Sequence, residues 1–170
     1  MYVKRLLTIP LMAIALTHPG QETNASAEPH AAERVQIQQL IERFKAAVVA
    51  KDGSALRGMF LPDSSWLMAL DEASLVKLRA RKPEVRPFMP DTYEHFATFV
   101  STATKPIEET FDQVHIETDG TIGMVYFDYR FLTGGKLSNR GTETWQVVHT
   151  DHGWKISAML YSVLADDAHR

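Results

Sequence analysis

Two acidic residues lie within strand-like runs rich in aromatic residues between positions 120 and 164, and these residue types together can do chemistry. Asp128 and Glu143 are these acids. Tyr126 and Tyr161 are the tyrosines that the strand pairing places on the same face of the predicted sheet. A carboxyl group in an apolar cavity has a raised pKa because burial disfavours its charged form, and a like-charged neighbour raises it further. Such a group suits general acid or base catalysis. A tyrosine beside it can donate a hydrogen bond to a developing oxyanion.

Turn dipeptides indicate that these residues lie on neighbouring strands of an antiparallel sheet. Gly134-Gly135 is typical of a two-residue hairpin, in which positive φ is needed. If Thr133 pairs with Lys136, counting along the strands places Tyr126 opposite Glu143. Side chains alternate between the two faces of a strand, so this pairing also fixes which residues share a face.

The next turn, Asp151-His152-Gly153, predicts a three-residue loop with glycine in the left-handed position. Thr150 then pairs with Trp154, which sets Glu143 opposite Tyr161. One face of the sheet is predicted to carry Met124, Tyr126, Asp128, Arg130, Glu143, Trp145, Ser157, Met159 and Tyr161. The other face is predicted to carry Val125, Phe127, Tyr129, Phe131, Thr142, Thr144, Gln146, Ile156, Ala158 and Leu160.

The face with the acids combines apolar walls and a few polar groups, as small-molecule pockets do. Glu143 and Asp128 are therefore the candidate catalytic residues. In the alternative interpretation Glu143 accepts structural hydrogen bonds from Tyr126 and Tyr161, and Arg130 pairs with Asp128. The predicted ligand pocket consists of Trp66, Tyr126, Arg130, Trp145, Met159 and Tyr161.

Composition excludes several classes of function. The formal net charge of −3 over 170 residues gives nucleic-acid binding no electrostatic support. There is no cysteine, so disulfides, thiol chemistry and cysteine-based metal sites are excluded. His149 and His152 flank a turn with a spacing that matches no standard metal pattern. No phosphate-binding glycine loop or other cofactor motif occurs, so neither a metal nor a cofactor is expected.

The N-terminus has the layout of a secretory signal peptide. Lys4 and Arg5 form a basic region, residues 6–16 are largely apolar, and Ala25-Ser26-Ala27 is a cleavage signal before Glu28. The apolar run is too short for a bilayer of roughly 30 Å. We therefore expect export to the periplasm or the medium, with no membrane attachment after cleavage. The alternative is an uncleaved tail.

The rest of the chain reads as one α+β domain. The hydrophobic periodicity predicts helices at residues 32–51, 54–60 and from 91 onward, a short strand at 64–70, and strands from 108 onward. The predicted organisation is a signal peptide (1–27), a short linker (28–31), the domain (32–165) and a tail (166–170).

Residues 72–90 hold five basic residues between Lys77 and Arg86, together with three prolines that forbid a continuous helix. A solvated basic loop is the simpler interpretation. The alternative is a lid that brings positive charge to the pocket mouth and favours an anionic ligand.

Three segments carry a resemblance to a known family: the helix IQQLIERFKAAVVAKDGSALRGMF, the run GTETWQVVHTDHGWKI, and Ser162 after the final strand. Over residues 32–164 the chain resembles the nuclear transport factor 2-like superfamily, also called SnoaL-like or ketosteroid-isomerase-like. The resemblance implies a cone-shaped, curved antiparallel sheet wrapped around three N-terminal helices, which is the cystatin-like α+β barrel. Its concave face would bind ligands.

The resemblance leaves the function open, because this fold hosts many activities. We expect an exported protein that binds a small molecule, anionic or aromatic, in its cone. A first alternative is a cofactor-free lyase or isomerase with Glu143 or Asp128 as base. Ketosteroid isomerases and scytalone dehydratase have such folds, but their full catalytic sets do not map onto this sequence. A second alternative is an interaction module with a filled cone. A homodimer is expected through the outer sheet face, assigned to Val125, Phe127, Tyr129 and Phe131.

Overall fold

The structure, a computed structural model, describes residues 29–165. The predicted signal peptide (1–27) and tail (166–170) lie outside the described residues. None of the helices in the described range is long and apolar enough to cross a bilayer. In chain order the elements are α1 (Ala31–Ala50), α2 (Gly53–Arg57), β1 (Phe60–Leu70), α3 (Glu72–Arg79), β2 (Phe88–Pro90), α4 (Tyr93–Thr102), β3 (Ile107–Thr118), β4 (Ile122–Thr133), β5 (Lys136–Thr150) and β6 (Gly153–Ala165).

Helix α1 is the most regular element, as its hydrophobic periodicity predicts. It ends at Lys51, which adopts the left-handed conformation (φ 57°) and donates its backbone N–H to the carbonyl of Val48. The buried stripe of α1 consists of Ile37, Leu40, Ile41, Phe44, Ala47 and Val48.

Short polar side chains begin the later helices. The Asp52 carboxylate accepts the N–H of Ala55 at the start of α2. The Thr92 hydroxyl accepts the N–H of His95 at 3.1 Å, so Thr92 caps α4, one residue after the predicted start of this helix at position 91.

The segment predicted to be an irregular basic loop contains α3. This helix is capped by Asp71, whose carboxylate accepts the N–H of Ser74, and it ends before Pro83. The prolines forbid a helix only where they stand, and the eight residues before them are free to form one.

A six-stranded sheet with the order β2-β1-β6-β5-β4-β3 wraps around the helices. Strand β1 runs parallel to β6, and every other neighbouring pair is antiparallel. The core lies between the inner face of the sheet and the helices α1 and α4. Phe44 of α1 contacts Phe96 of α4, Phe111 of β3 and Trp145 of β5 at ring separations of 5.0–6.1 Å. The predicted α+β class and curved sheet are confirmed.

One extra residue in β5 changes which face the β4 side chains occupy. Thr133 pairs with Lys136 as predicted, but Phe131 pairs with Asn139, so Ser138 forms a β-bulge. A bulge sets two residues against one, and every later pairing shifts by one position. The β4 residues and the β5 residues that were predicted to share a face therefore lie on opposite faces of the sheet.

Beyond the bulge Phe127 pairs with Glu143, and Tyr126 pairs with Thr144. The prediction that Tyr126 lies opposite Glu143 is wrong for this reason. The predicted dimer surface is wrong for the same reason, because its residues are buried inside the cone. Their exposed fractions are 0% for Val125, 0% for Phe127, 3% for Tyr129 and 7% for Phe131.

Two errors cancel between β5 and β6. Thr150 pairs with Gly153, not Trp154, so the turn has two residues. Ser157 is then an extra residue in β6, which shifts the register back. Glu143 consequently lies opposite Tyr161, as predicted.

Candidate functional site

The inner face of the sheet and the helices α1 and α4 enclose a cavity of about 170 Å³. Two acids, Glu109 of β3 and Glu143 of β5, contribute charge-bearing groups, and within residues 29–165 no lysine or arginine lines the cavity. Most of the remaining wall is aromatic. The lining residues are Phe44, Trp66, Phe96, Phe99, Glu109, Tyr129, Phe131, Asn139, Glu143, Met159 and Tyr161.

Glu143 is held in place by its own strand. It is 3% exposed, and its Oε1 accepts a hydrogen bond of 2.5 Å from the indole Nε1 of Trp145, two residues further along. Burial raises the pKa of Glu143 to about 8, and the Trp145 hydrogen bond acts in the opposite direction. At neutral pH this carboxyl group is therefore mostly protonated and able to donate as well as accept.

Glu109 is the second acid of the cavity, and its carboxyl group is held less firmly than that of Glu143. It lies opposite Phe131 in the sheet and is 7% exposed. No hydrogen bond or ion pair to its carboxyl group occurs among the residues that the structure describes. Burial, and secondly the charge of Glu143, raise the pKa of Glu109 well above its usual value. A buried carboxyl group without a hydrogen-bond partner is unusual, and a ligand in the cavity would supply that partner.

Tyr129 is fixed by a close approach of two strands. Its hydroxyl donates to the carbonyl oxygen of Ser162 at 2.9 Å. That carbonyl can turn inward because the facing residue is Gly141: a Cβ there would lie 2.0 Å from the Ser162 oxygen. Burial raises the pKa of Tyr129, so its phenol stays protonated.

Tyr161 lies across from Glu143, and burial raises its pKa to about 12. The indole N–H of Trp66 lies near enough to the Tyr161 oxygen to counter that rise in part, but not in hydrogen-bonding geometry. Within residues 29–165 this buried N–H has no hydrogen-bond acceptor. A buried N–H without an acceptor among the described residues therefore stands on the cavity wall together with Glu109.

The aromatic residues form a continuous belt around the cavity. Successive ring centroids are 6.1, 6.1, 5.4, 6.3 and 5.9 Å apart along the series Tyr129, Tyr161, Trp66, Phe96, Phe99 and Phe131. Such tilted and edge-on contacts fix ring positions by packing. The first and last rings of the belt, Tyr129 and Phe131, both lie on β4. Helix α4 and the strands β1, β4 and β6 therefore hold these rings around the same cavity.

The predicted site residues divide into two groups. Glu143, Trp66, Met159 and Tyr161 line the cavity. Trp145 is fully buried behind it and serves as the hydrogen-bond donor to Glu143.

The other predicted residues lie on the outer face of the sheet, because the Ser138 bulge reverses the faces of β4. Tyr126 is 43% exposed, and the Asp128 carboxylate accepts a hydrogen bond from the Thr142 hydroxyl at the surface. Arg130 is exposed and pairs across the sheet with Arg140. Asp128, Tyr126 and Arg130 therefore do not line the cone cavity, and Asp128 and Arg130 border a depression on the outer face instead. The alternative in which Tyr126 donates to Glu143 is excluded by the same placement.

Glu109 and Tyr129 were missed as site residues. In β3 the alternation of Ile107, Glu109 and Phe111 places all three on one face, so an acid within an apolar series was the available signal. Tyr129 was assigned to the outer face by the register error.

The basic segment between residues 72 and 90 contributes no residue to the cavity wall. The alternative in which this segment forms a lid therefore has no support in the described geometry. Within residues 29–165, no three His, Asp or Glu side chains are grouped so that they would hold a metal ion.

Comparison with known proteins identifies the fold. No protein-family profile matches the chain, and no curated protein matches it in sequence. Solved structures do match, including an NTF2-like protein of unknown function from Pseudomonas putida KT2440 (16% identity, TM-score 0.60, covering 82% of this chain and 92% of that one). An NTF2-like superfamily protein from Salmonella enterica matches at 18% identity and TM-score 0.57, covering 80% and 94%.

A candidate scytalone dehydratase from Novosphingobium aromaticivorans is also similar, at 12% identity and TM-score 0.60, covering 82% of this chain and 89% of that one. The chain therefore has the nuclear transport factor 2-like, cystatin-like fold, as its sequence resemblance indicated. At these identities the likeness concerns the fold, and function must be argued from the cavity.

Proposed function

We propose that this protein binds a small molecule in the cone cavity between the sheet and helices α1 and α4. The observation that carries the proposal is the carboxyl group of Glu109, which lies on the wall of an aromatic-lined cavity and has no partner among the described residues. Such a combination of apolar walls and a few polar groups is typical of small-molecule sites. A cavity of about 170 Å³ also argues against a cone filled by its own side chains.

A library of single-ring fragments of each charge, screened by thermal shift, tests this proposal. A ligand present at a hundredfold its dissociation constant adds roughly 2.7 kcal/mol to the free energy of unfolding. We expect hits with the wild type and none with Asn139→Trp, because Asn139 lines the cavity and a bulky ring there would fill it.

The matched control is Arg140→Trp, which places the same ring on the outer face one residue later. It should respond to the same fragments as the wild type. If hits also stabilise Asn139→Trp by the same amount, the ligand binds elsewhere and the proposal is wrong.

A cofactor-free lyase or isomerase is the second candidate function. The observation that favours it is Glu143, a buried acid with a pKa near 8 that lies opposite Tyr161. An acid that titrates close to neutral pH suits proton transfer. Turnover of a bound fragment by the wild type, lost in Glu143→Gln while binding is retained, would establish this activity.

We also propose a homodimer, now through the true outer face of the sheet. Large apolar side chains there are open to solvent: Met124 is 48%, Tyr126 43% and Leu160 48% exposed. Apolar groups gathered on one sheet face favour association. Sedimentation should detect a dimer in the micromolar range that Tyr126→Glu dissociates. A monomer whose sedimentation is the same in wild type and variant would contradict the dimer.

Export remains part of the proposal on the strength of the N-terminal pattern alone. The mature protein should begin at Glu28, as measured by intact-mass spectrometry of the protein from its native host. A cytosolic protein that retains Met1 would contradict export.

A further inference from the structure

We propose that the ligand of this cavity is an organic cation, an amine or quaternary ammonium compound with an apolar part of about one ring. The inference rests on the proposed function, since it names the ligand class for the same cavity. It replaces the expectation of an anionic ligand.

The acids are the first reason. Two carboxyl groups share a small cavity, and none of the described residues on its wall is basic. Burying a carboxyl group is costly, and apolar residues of similar volume often give a more stable protein. Trp145 offsets part of this cost for Glu143, but nothing among the described residues does so for Glu109. A cationic ligand would supply the missing partner.

The aromatic belt is the second and independent reason. Six rings, from Tyr129 through Trp66 to Phe131, surround the space beside the acids. Aromatic faces carry negative partial charge and attract cations, most strongly where water is excluded. Rings and acids therefore favour the same sign of charge.

Size restricts the ligand further. An apolar cavity of roughly 150 Å³ accommodates a benzene-sized molecule, and the volume here is about 170 Å³. Among the described residues an anion would meet two acids and no counter-ion. A neutral molecule would not stabilise the ionised form of either acid.

Binding of a cation should cause an acid of the cavity to release its proton. The titratable groups that face one another are Glu109 of β3, Tyr129 of β4, Glu143 of β5 and Tyr161 of β6, whereas α1, α4 and β1 contribute only rings. Both tyrosines stay protonated across the neutral range because burial raises their pKa. Ionisation of an acid is thus the step coupled to cation binding.

Isothermal titration with three single-ring probes tests the proposal: benzyltrimethylammonium, benzyl alcohol and benzoate. The charge of the first does not change with pH, so its affinity reports the ionisation of the protein. We expect its association constant to rise about tenfold per pH unit between pH 6 and 8, with release of one proton. Benzyl alcohol should bind more weakly and show no such rise, and benzoate should not bind.

Glu109→Gln should weaken benzyltrimethylammonium binding at pH 8 at least tenfold and leave benzyl alcohol binding unchanged, which also shows that the variant is folded. The matched control is Glu108→Gln, since Glu108 is the adjacent acid on the exposed side of β3. Glu143→Gln provides a second, independent removal of charge.

If benzyl alcohol binds more tightly than the cation at every pH, the cation proposal is overturned while the cavity remains a small-molecule site. An affinity for the cation that does not change with pH, or that survives both Gln variants, overturns it as well. If none of the three probes binds, the cation proposal fails, and the wider fragment library decides the proposed function separately.

Discussion

Between pH 5 and pH 9 the free energy of unfolding should fall by an amount on the order of 4 kcal/mol through Glu143 alone. A buried acid with a raised pKa binds its proton more tightly in the folded state than in the unfolded chain. Its contribution to stability is therefore fully present below the usual pKa of 4.5 and is lost as the pH rises to about 8. Each pKa unit corresponds to about 1.4 kcal/mol. Glu109, with its pKa raised in the same direction, adds to the loss.

Urea unfolding at several pH values measures this effect. Glu143→Gln retains an oxygen for the Trp145 N–H but does not ionise, so the decline of its stability with pH should be much shallower. Glu108→Gln, on the exposed side of β3, should follow the wild type. Acids whose pKa is lowered, such as Asp119, are exposed and exert their effect mainly below pH 5. Parallel curves for wild type and Glu143→Gln would show that Glu143 is not buried in the cavity.

Gly141→Ala should be the most damaging small substitution in the sheet, with a loss of at least about 3 kcal/mol. The added Cβ would lie 2.0 Å from the carbonyl oxygen of Ser162, and backbone must move to relieve this contact. The movement separates Ser162 from two partners: the Tyr129 hydroxyl, which donates to its carbonyl, and the Thr142 N–H, which donates to its hydroxyl. Strand pairing and the position of Tyr129 in the cavity depend on the same residue.

Gly58→Ala is the matched control, because a Cβ at Gly58 comes no closer than 3.4 Å to any atom. Its stability in urea should stay within about 1 kcal/mol of the wild type. A Gly141→Ala protein that unfolds at the wild-type urea concentration would show that β5 and β6 are not so close at this point.

The sequence predicted those parts of the fold that local signals determine. The apolar stripe from Ile37 to Val48 defined α1, and Gly134-Gly135 defined the pairing of Thr133 with Lys136. What failed was the register beyond that turn. Ser138 and Ser157 are extra residues in their strands, and neither carries a glycine-like or turn-like signal that would reveal a bulge.

The site was predicted in part for the same reason. Glu143 and Tyr161 were paired correctly because the Ser157 bulge compensated for a turn shorter than expected. Tyr126 was assigned to the wrong face of the sheet because no second bulge in this strand pair compensated for the bulge at Ser138. Predicting Glu109 as a site residue would have required the pairing of β3 with β4. That pairing depends on another bulge, at Gln113 (φ 55°). Periodicity within a strand shows which residues share a face, but tertiary packing determines which face is inside.

The most direct test of the cavity as the binding site is methyl NMR of the protein labelled at its methionine methyl groups. Met159 lines the cavity, whereas Met124 lies on the outer face and is 48% exposed. Each signal can be assigned by substitution with leucine. Fragments that stabilise the protein should shift the Met159 signal in a saturable manner and leave the Met124 signal in place. Stabilising fragments that move Met124 but not Met159 would contradict the account, because the ligand would then bind outside the cone.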